Sequence, residues 1–143
     1  MTISEIESKL LAEGCNRNQF ATGQRGAAND AYCLIQRDGK WEVFYTERGE
    51  ESSPIYSSAS EEEACEFFFN HILSLEHWHL VGWFVNEAEA IDFEKRIAAL
   101  GVKPIRNDIP FKSRKIDRFR VFVMGKDIFP VKAAIPELPL KQV

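Results

Sequence analysis

The chain has 143 residues and a mass of 16.4 kDa, the size of one compact domain. Its 45% hydrophobic, 12% aromatic and 28% charged content excludes a disordered tail and a fibrous repeat. No apolar run approaches the roughly 20 residues that cross a bilayer, and the opening MTISEIESKL has neither a basic start nor an apolar signal segment, which predicts a cytoplasmic protein.

The net charge of -4 hides an asymmetry. Residues 1–70 carry 6 basic and 13 acidic side chains, a net of -7, whereas residues 71–143 carry 12 and 9, a net of +3. Acid concentrates at Glu47, Glu50, Glu51, Glu61, Glu62, Glu63 and Glu66, and base at Lys112, Arg114, Lys115, Arg118 and Arg120. An acidic surface repels phosphate backbones and steers cationic partners, so direct nucleic-acid binding is not expected outside the basic segment.

In chain order, residues 1–14 predict a helix: Ile3, Ile6 and Leu10 recur at helical spacing, Ser4 with Glu7 forms a capping box, and Gly14 suits the C-terminal stop. Residues 15–30 are polar, contain glycine and lack a period, which predicts a loop. AYCLIQR and KWEVFYTE then flank Asp38-Gly39, a pair suited to the positive φ angles of a type I′ turn. This hairpin pairs Arg37 with Lys40 and puts Tyr32, Leu34 and Gln36 opposite Tyr45, Val43 and Trp41 on a core face; Cys33 and Ile35 share the other face with Phe44 and Glu42. Arg48-Gly49 ends the second strand, and a short extended piece follows at Ile55 and Tyr56.

Ser60 with Glu63 is a second capping box, and the acidic triplet Glu61, Glu62, Glu63 suits a helix N-terminus. The stripe of that helix is Ala64, Phe67, Phe68, His71, Ile72 and Leu75. The run HLVGWFV predicts a strand buried on both faces and central in its sheet. Asn86 caps a third helix with the stripe Ala90, Phe93, Ile97 and Leu100, which Gly101 and Pro104 stop. Residues 102–106 and 118–124 read as strands, residues 128–131 as a last strand, and the prolines beyond make residues 134–143 an extended tail. The order of elements predicts an α+β fold in a single domain, with a mixed or mainly antiparallel sheet over residues 31–133 and about three helices mainly on one side of it.

Motifs for chemistry are sparse. Cys15, Cys33 and Cys65 have no ligand or disulfide spacing and read as buried small side chains. His77 and His79 would share a strand face but lack a third ligand, and Cys65 with His71 lies off one clean helix face, so no metal is expected. The GQRG of residues 23–26 and Gly125-Lys126-Asp127 lack the strand and helix of a phosphate cradle, so no cofactor is expected. No serine stands in a nucleophile elbow, and the acidic pairs fall in turns, which predicts a protein that is not an enzyme. Phe111 and Phe119 in the basic segment would suit stacking on single-stranded RNA, yet VFVM lacks the pattern of an RNA-recognition motif, and an edge loop with gatekeeper charge is the simpler reading.

AYCLIQRDGKWEVFYTERGE, SSASEEEACEFFFNHIL, HLVGWFVNEAEAIDFEKRIAALGV and RFRVFVMGKDI, which together run from residue 31 to residue 128, resemble the small cytosolic immunity proteins of bacterial polymorphic toxin systems. The resemblance implies an inhibitor that binds the C-terminal toxin domain of a delivered effector. Many such domains are nucleases with basic clefts, which an acidic patch would engage quickly. The residues expected to meet the toxin are Glu47, Glu50, Glu51, Glu61 and Glu62, with Tyr45 and Tyr56 as aromatic anchors. The rival surface is the segment from Arg114 to Arg120. Two other readings stand beside this one: an adaptor whose partner is not a toxin, and a small-ligand-binding protein or enzyme that uses residues 15–30 as a lid over a concave polar pocket.

Overall fold

A computed structural model describes residues 1–23, 30–109 and 118–140. The chain is α+β, as the order of elements predicts, and its contacts divide it into two compact units, residues 1–76 and residues 77–143. The strands form two sheets rather than the single sheet expected, because alternation in sequence fixes which face a strand buries but not which strand it pairs with.

The first unit opens with α1 (Ile3–Ala12), whose N-cap position is Thr2, two residues ahead of the expected Ser4, with no cap bond from the Thr2 side chain to a backbone N–H. The Thr2 hydroxyl donates to Glu5 Oε1 at 2.9 Å, a side-chain contact at the three-residue spacing of the expected Ser4–Glu7 box, two residues earlier. At the other end Gly14 takes φ 81°, the Gly14 N–H donates to Leu11 and the Cys15 N–H to Leu10, a Schellman closure that turns Cys15 into the core beside Leu10. Residues 15–30, expected as loop, contain a 3₁₀ turn at Arg17–Gln19 and the strand β1 (Phe20–Thr22). Three residues ended by Gly23 are too short to show a period, and β1 is held by parallel pairing to β2 (Ala31–Arg37).

The hairpin of β2 with β3 (Lys40–Glu47) has the predicted register, Arg37 opposite Lys40 around Asp38 (φ 52°) and Gly39 (φ 74°). On one face Leu34 and Val43 are fully buried under Ile6 and Leu10 of α1 and Ala64, Cys65, Phe68 and Ile72 of α2 (Glu61–Leu73). A buried Phe68 alone contributes about 1.5–3 kcal/mol relative to an exposed one. The other face is also apolar and buried, with Cys33, Ile35 and Phe44 clustered beside Ala21. Two short strands, β4 (Glu50–Glu51) and β5 (Tyr56–Ser58), pair along the outer edge of β3. Pro54, which has no N–H for a ladder, lies in the break between them. All three cysteines are buried thiols, as expected.

The second unit has its own core and an antiparallel sheet of order β6 (Trp78–Phe84), β8 (Phe119–Met124), β7 (Ile105–Arg106). The strand expected to be central, β6, is therefore at an edge, and β8 is central. Its register shifts between Leu80 and Gly82, where a Cβ on Gly82 would stand 2.7 Å from Phe84 Cε2 and 3.0 Å from Phe93. Asn86 Oδ1 accepts the N–H of Ala88 at 2.8 Å and caps α3 (Glu87–Ala98), whose Ala90, Phe93 and Ile97 pack on Val81, Val121 and Val123. Residues 128–131, expected as a strand, form the start of α4 (Ile128–Ala134). Pro130 is its third residue, where no intrahelical donor is needed, and Ile128, Val131 and Ile135 place one buried face on the core at helical spacing.

Candidate functional site

The site is built on the second hairpin of the first unit. Arg48 (φ 51°) and Gly49 (φ 81°) make another two-residue turn, so that β4 folds back on β3 with Glu47 opposite Glu50 and Thr46 opposite Glu51. Beside the turn lies an open groove of about 530 Å³ lined by Tyr45, Glu47, Arg48, Glu50, Glu51 and Ser52. Four of the seven residues expected to meet a partner, Tyr45, Glu47, Glu50 and Glu51, line it together.

They do not do the same work. Glu47 and Glu50 are exposed and sit on directly opposed positions of the pair, an arrangement in which like charges repel. Glu51 faces the other way. Its side chain is only 14% exposed, and both its oxygens take hydrogen bonds from Arg37 Nη1, at 3.2 and 3.4 Å. Arg37 Nε donates to Glu42, and the guanidinium lies over the Phe44 ring, 5.1 Å from its centroid. Glu51 therefore fastens β4 to the hairpin more than it offers charge.

Tyr45 is held at the groove wall by its backbone. Its N–H donates to Ser52 Oγ at 2.9 Å, its carbonyl accepts the Ser52 N–H at 2.7 Å, and its ring meets Tyr32 with centroids 4.8 Å apart. Burial, followed by the nearby negative charge of Asp30 and Glu47, pushes its hydroxyl pKa up.

The other three expected residues do not line this groove. Tyr56 stacks on Phe67 of α2 at 4.3 Å with the rings 8° apart, so that face of its ring is spent inside the unit. Glu62 lines a second groove, of about 270 Å³, with Met1, Glu66, Phe69 and Asn70; Glu61 lines neither. The start of α2 is otherwise as the capping box predicts, with Ser60 Oγ accepting the Glu63 N–H at 3.2 Å. The Glu63 carboxylate accepts from the Ser58 hydroxyl, and Ser58 Oγ accepts the Ser60 N–H, a relay in place of the reciprocal bond.

Behind the groove, the rings of Tyr45, Tyr32, His71, Phe67 and Tyr56 form a continuous series between sheet and helix. Burial lowers the His71 pKa, and its Nε2 is enclosed with no hydrogen-bond partner among the described residues. Sequence reasoning placed His71 in the apolar stripe and overlooked Arg48 and Ser52; the signal for these two was E-R-G-E itself, which reads as a two-residue hairpin turn.

In the second unit Arg120 is engaged within the sheet, donating to the Asn107 carbonyl at 3.0 Å and to Asn107 Oδ1 at 2.9 Å, with its guanidinium over Phe122. Phe119 is partly buried against the core, with the Arg106 guanidinium over its ring. Phe111, Lys112, Arg114 and Lys115 lie outside the described residues, as do residues 24–26 of the GQRG run. Among the described residues no three His, Cys, Asp or Glu side chains gather as metal ligands, and no helix is long and apolar enough to cross a membrane. Compared with known proteins, the chain matches no family model, no curated protein and no solved structure.

Proposed function

We propose that this chain is an immunity protein, an inhibitor that binds and neutralises a toxin domain through the groove of the β3–β4 hairpin. The observation that carries this reading is the lining of the groove: two exposed glutamates on opposed positions, an aromatic wall at Tyr45 and an arginine at the turn. Such a surface suits a basic element of a partner. The opposed carboxylates attract a cation, Tyr45 supplies apolar area with a donor at its tip, and the net charge of -7 over residues 1–70 steers a basic domain toward it. A nuclease toxin, with a cleft built for phosphate, is the partner class that this charge fits best.

Among the described residues the groove is lined from β3, β4, their turn and Ser52 just beyond β4, a rim of mostly exposed side chains on a hairpin that a protein partner can reach. The test is capture of the tagged chain from a lysate of its source at low and high salt, with mass spectrometry of what is retained. Stoichiometric recovery of one large secreted protein through its C-terminal domain, weakened by salt, supports the proposal. Recovery of nothing above background while the partner gene is expressed refutes it.

A further inference from the structure

The seven residues of β6, WHLVGWF, form an edge of an antiparallel sheet. An apolar edge of this length is a template for another strand unless something covers it. Here the chain returns to cover it: the Trp83 N–H donates to the Pro139 carbonyl at 2.8 Å. The returning segment is pinned by Ile135, which is buried, and by Leu138, which packs against the same core.

The segment also pairs part of its outer side with itself. In extended chain the backbone groups of successive residues point to opposite sides, so with Pro139 turned to β6 the groups of Leu138 and Leu140 turn away. The Leu140 N–H donates to the Leu138 carbonyl at 2.8 Å, a γ-turn about Pro139, so these two outward groups satisfy each other. Pro136 and Pro139 contribute no N–H at all. At Trp83 the edge is covered by a piece of chain that pairs two of its outward groups with each other and has two prolines without an N–H.

We propose that residues 135–140 are a strap that terminates the sheet at β6 and bars a second copy of this chain from pairing there. A second copy is the occupant the strap excludes because every copy carries the same seven-residue apolar edge, and two such edges pair antiparallel about a twofold axis with each residue set matched to itself.

The test uses the full chain with Leu138→Ala, which weakens the anchor, and with Pro139→Gly, which loosens the γ-turn while leaving every core side chain in place. Amide exchange at Trp83 is read against Val121 and Val123 of β8, and mass is read by light scattering across a range of concentration. The expected result is exchange at Trp83 faster by roughly tenfold while the β8 amides hold, and a mass that rises with concentration above that of the unchanged chain. Unchanged Trp83 protection in Pro139→Gly overturns the strap; lost protection with the mass of the unchanged chain at every concentration overturns its guarding role.

Discussion

Glu50 and Glu51 are neighbours in sequence, and the structure gives them opposite effects on stability. Strand alternation sends Glu51 to the face of Glu42 and Phe44, where Arg37 Nη1 meets its oxygens at 3.2 and 3.4 Å. A hydrogen bond to a charged group contributes about 1.5–3 kcal/mol. These are long contacts, the Arg37 side chain is 35% exposed and it retains Glu42, so Glu51→Ala should cost only about 1 kcal/mol. Glu50 stands opposite Glu47, and Glu50→Ala removes a repulsion, which should leave stability within about 0.5 kcal/mol and on the favourable side. Both changes put alanine into the same two-residue strand, so their difference reads the side chains and not the backbone. In urea, with a slope of about 1.5 kcal/mol per molar, the Glu51→Ala midpoint should fall by about 0.7 M while that of Glu50→Ala holds or rises. With Arg37→Ala already in place, the cost of Glu51→Ala should vanish. Equal midpoints for the two variants, or a lower one for Glu50→Ala, would refute the assignment of Glu51 as fastener and Glu50 as free face.

Three further outcomes are expected. Because burial lowers the folded pKa of His71 from its usual 6.5, the unfolded chain binds a proton between those two values that the folded chain does not, so stability should fall as pH drops below about 6.5; His71→Phe should flatten that fall in urea midpoints taken at pH 7.5 and 5.5, and identical slopes would count against it. Gly82→Ala should destabilise by about 2 kcal/mol despite the better strand propensity of alanine, since the new Cβ meets the Phe84 ring at 2.7 Å, and adding Phe84→Leu should recover part of the loss in thermal melts. Against the toxin domain that the proposed function calls for, Glu47→Lys with Glu50→Lys should slow association at low salt by about tenfold and flatten the salt dependence, whereas Glu61→Lys with Glu62→Lys should change it far less, as read by stopped-flow mixing.

What the sequence disclosed follows the range over which each interaction acts. Turn and cap chemistry is local, and Asp38-Gly39, Ser60 with Glu63, Asn86 and Gly14 each signal the geometry they adopt. Pairing is not local, so the division of the strands into two sheets and the edge position of β6 were hidden in it. Residues 128–131 fit a strand or a helix by hydrophobicity alone; what decides is Val131 and Ile135 burying the same face as Ile128, together with a proline placed where a helix tolerates it. The candidate site was legible as a charge concentration, but its partition was not. Tyr56 turns to Phe67 and Glu51 to Arg37 because each has a neighbour brought by tertiary folding, and no spacing in the chain announces either.

The two hairpins of the first unit bear on why the groove, and not the α2 terminus, carries the functional reading. Each is closed by a two-residue turn and each sets like charges across its mouth, Arg37 with Lys40 in one and Glu47 with Glu50 in the other. In the first, the cost is relieved: the turn is Asp-Gly, the pair best suited to positive φ, and Arg37 leaves Lys40 for Glu42 and Glu51. In the second, Arg48 takes φ 51°, where a long side chain is disfavoured, and both glutamates remain exposed at the lip of the groove. Nothing in the stability of the hairpin asks for that combination, since a neutral pair around Asp-Gly would close it better. Such local conflict with the fold, kept at the rim of a concave surface, is what the proposed binding role would leave. The Glu61 to Glu63 triplet has no such conflict, because carboxylates in the first turn of α2 are favoured by the helix dipole and by the Ser60 cap, and stability alone accounts for them.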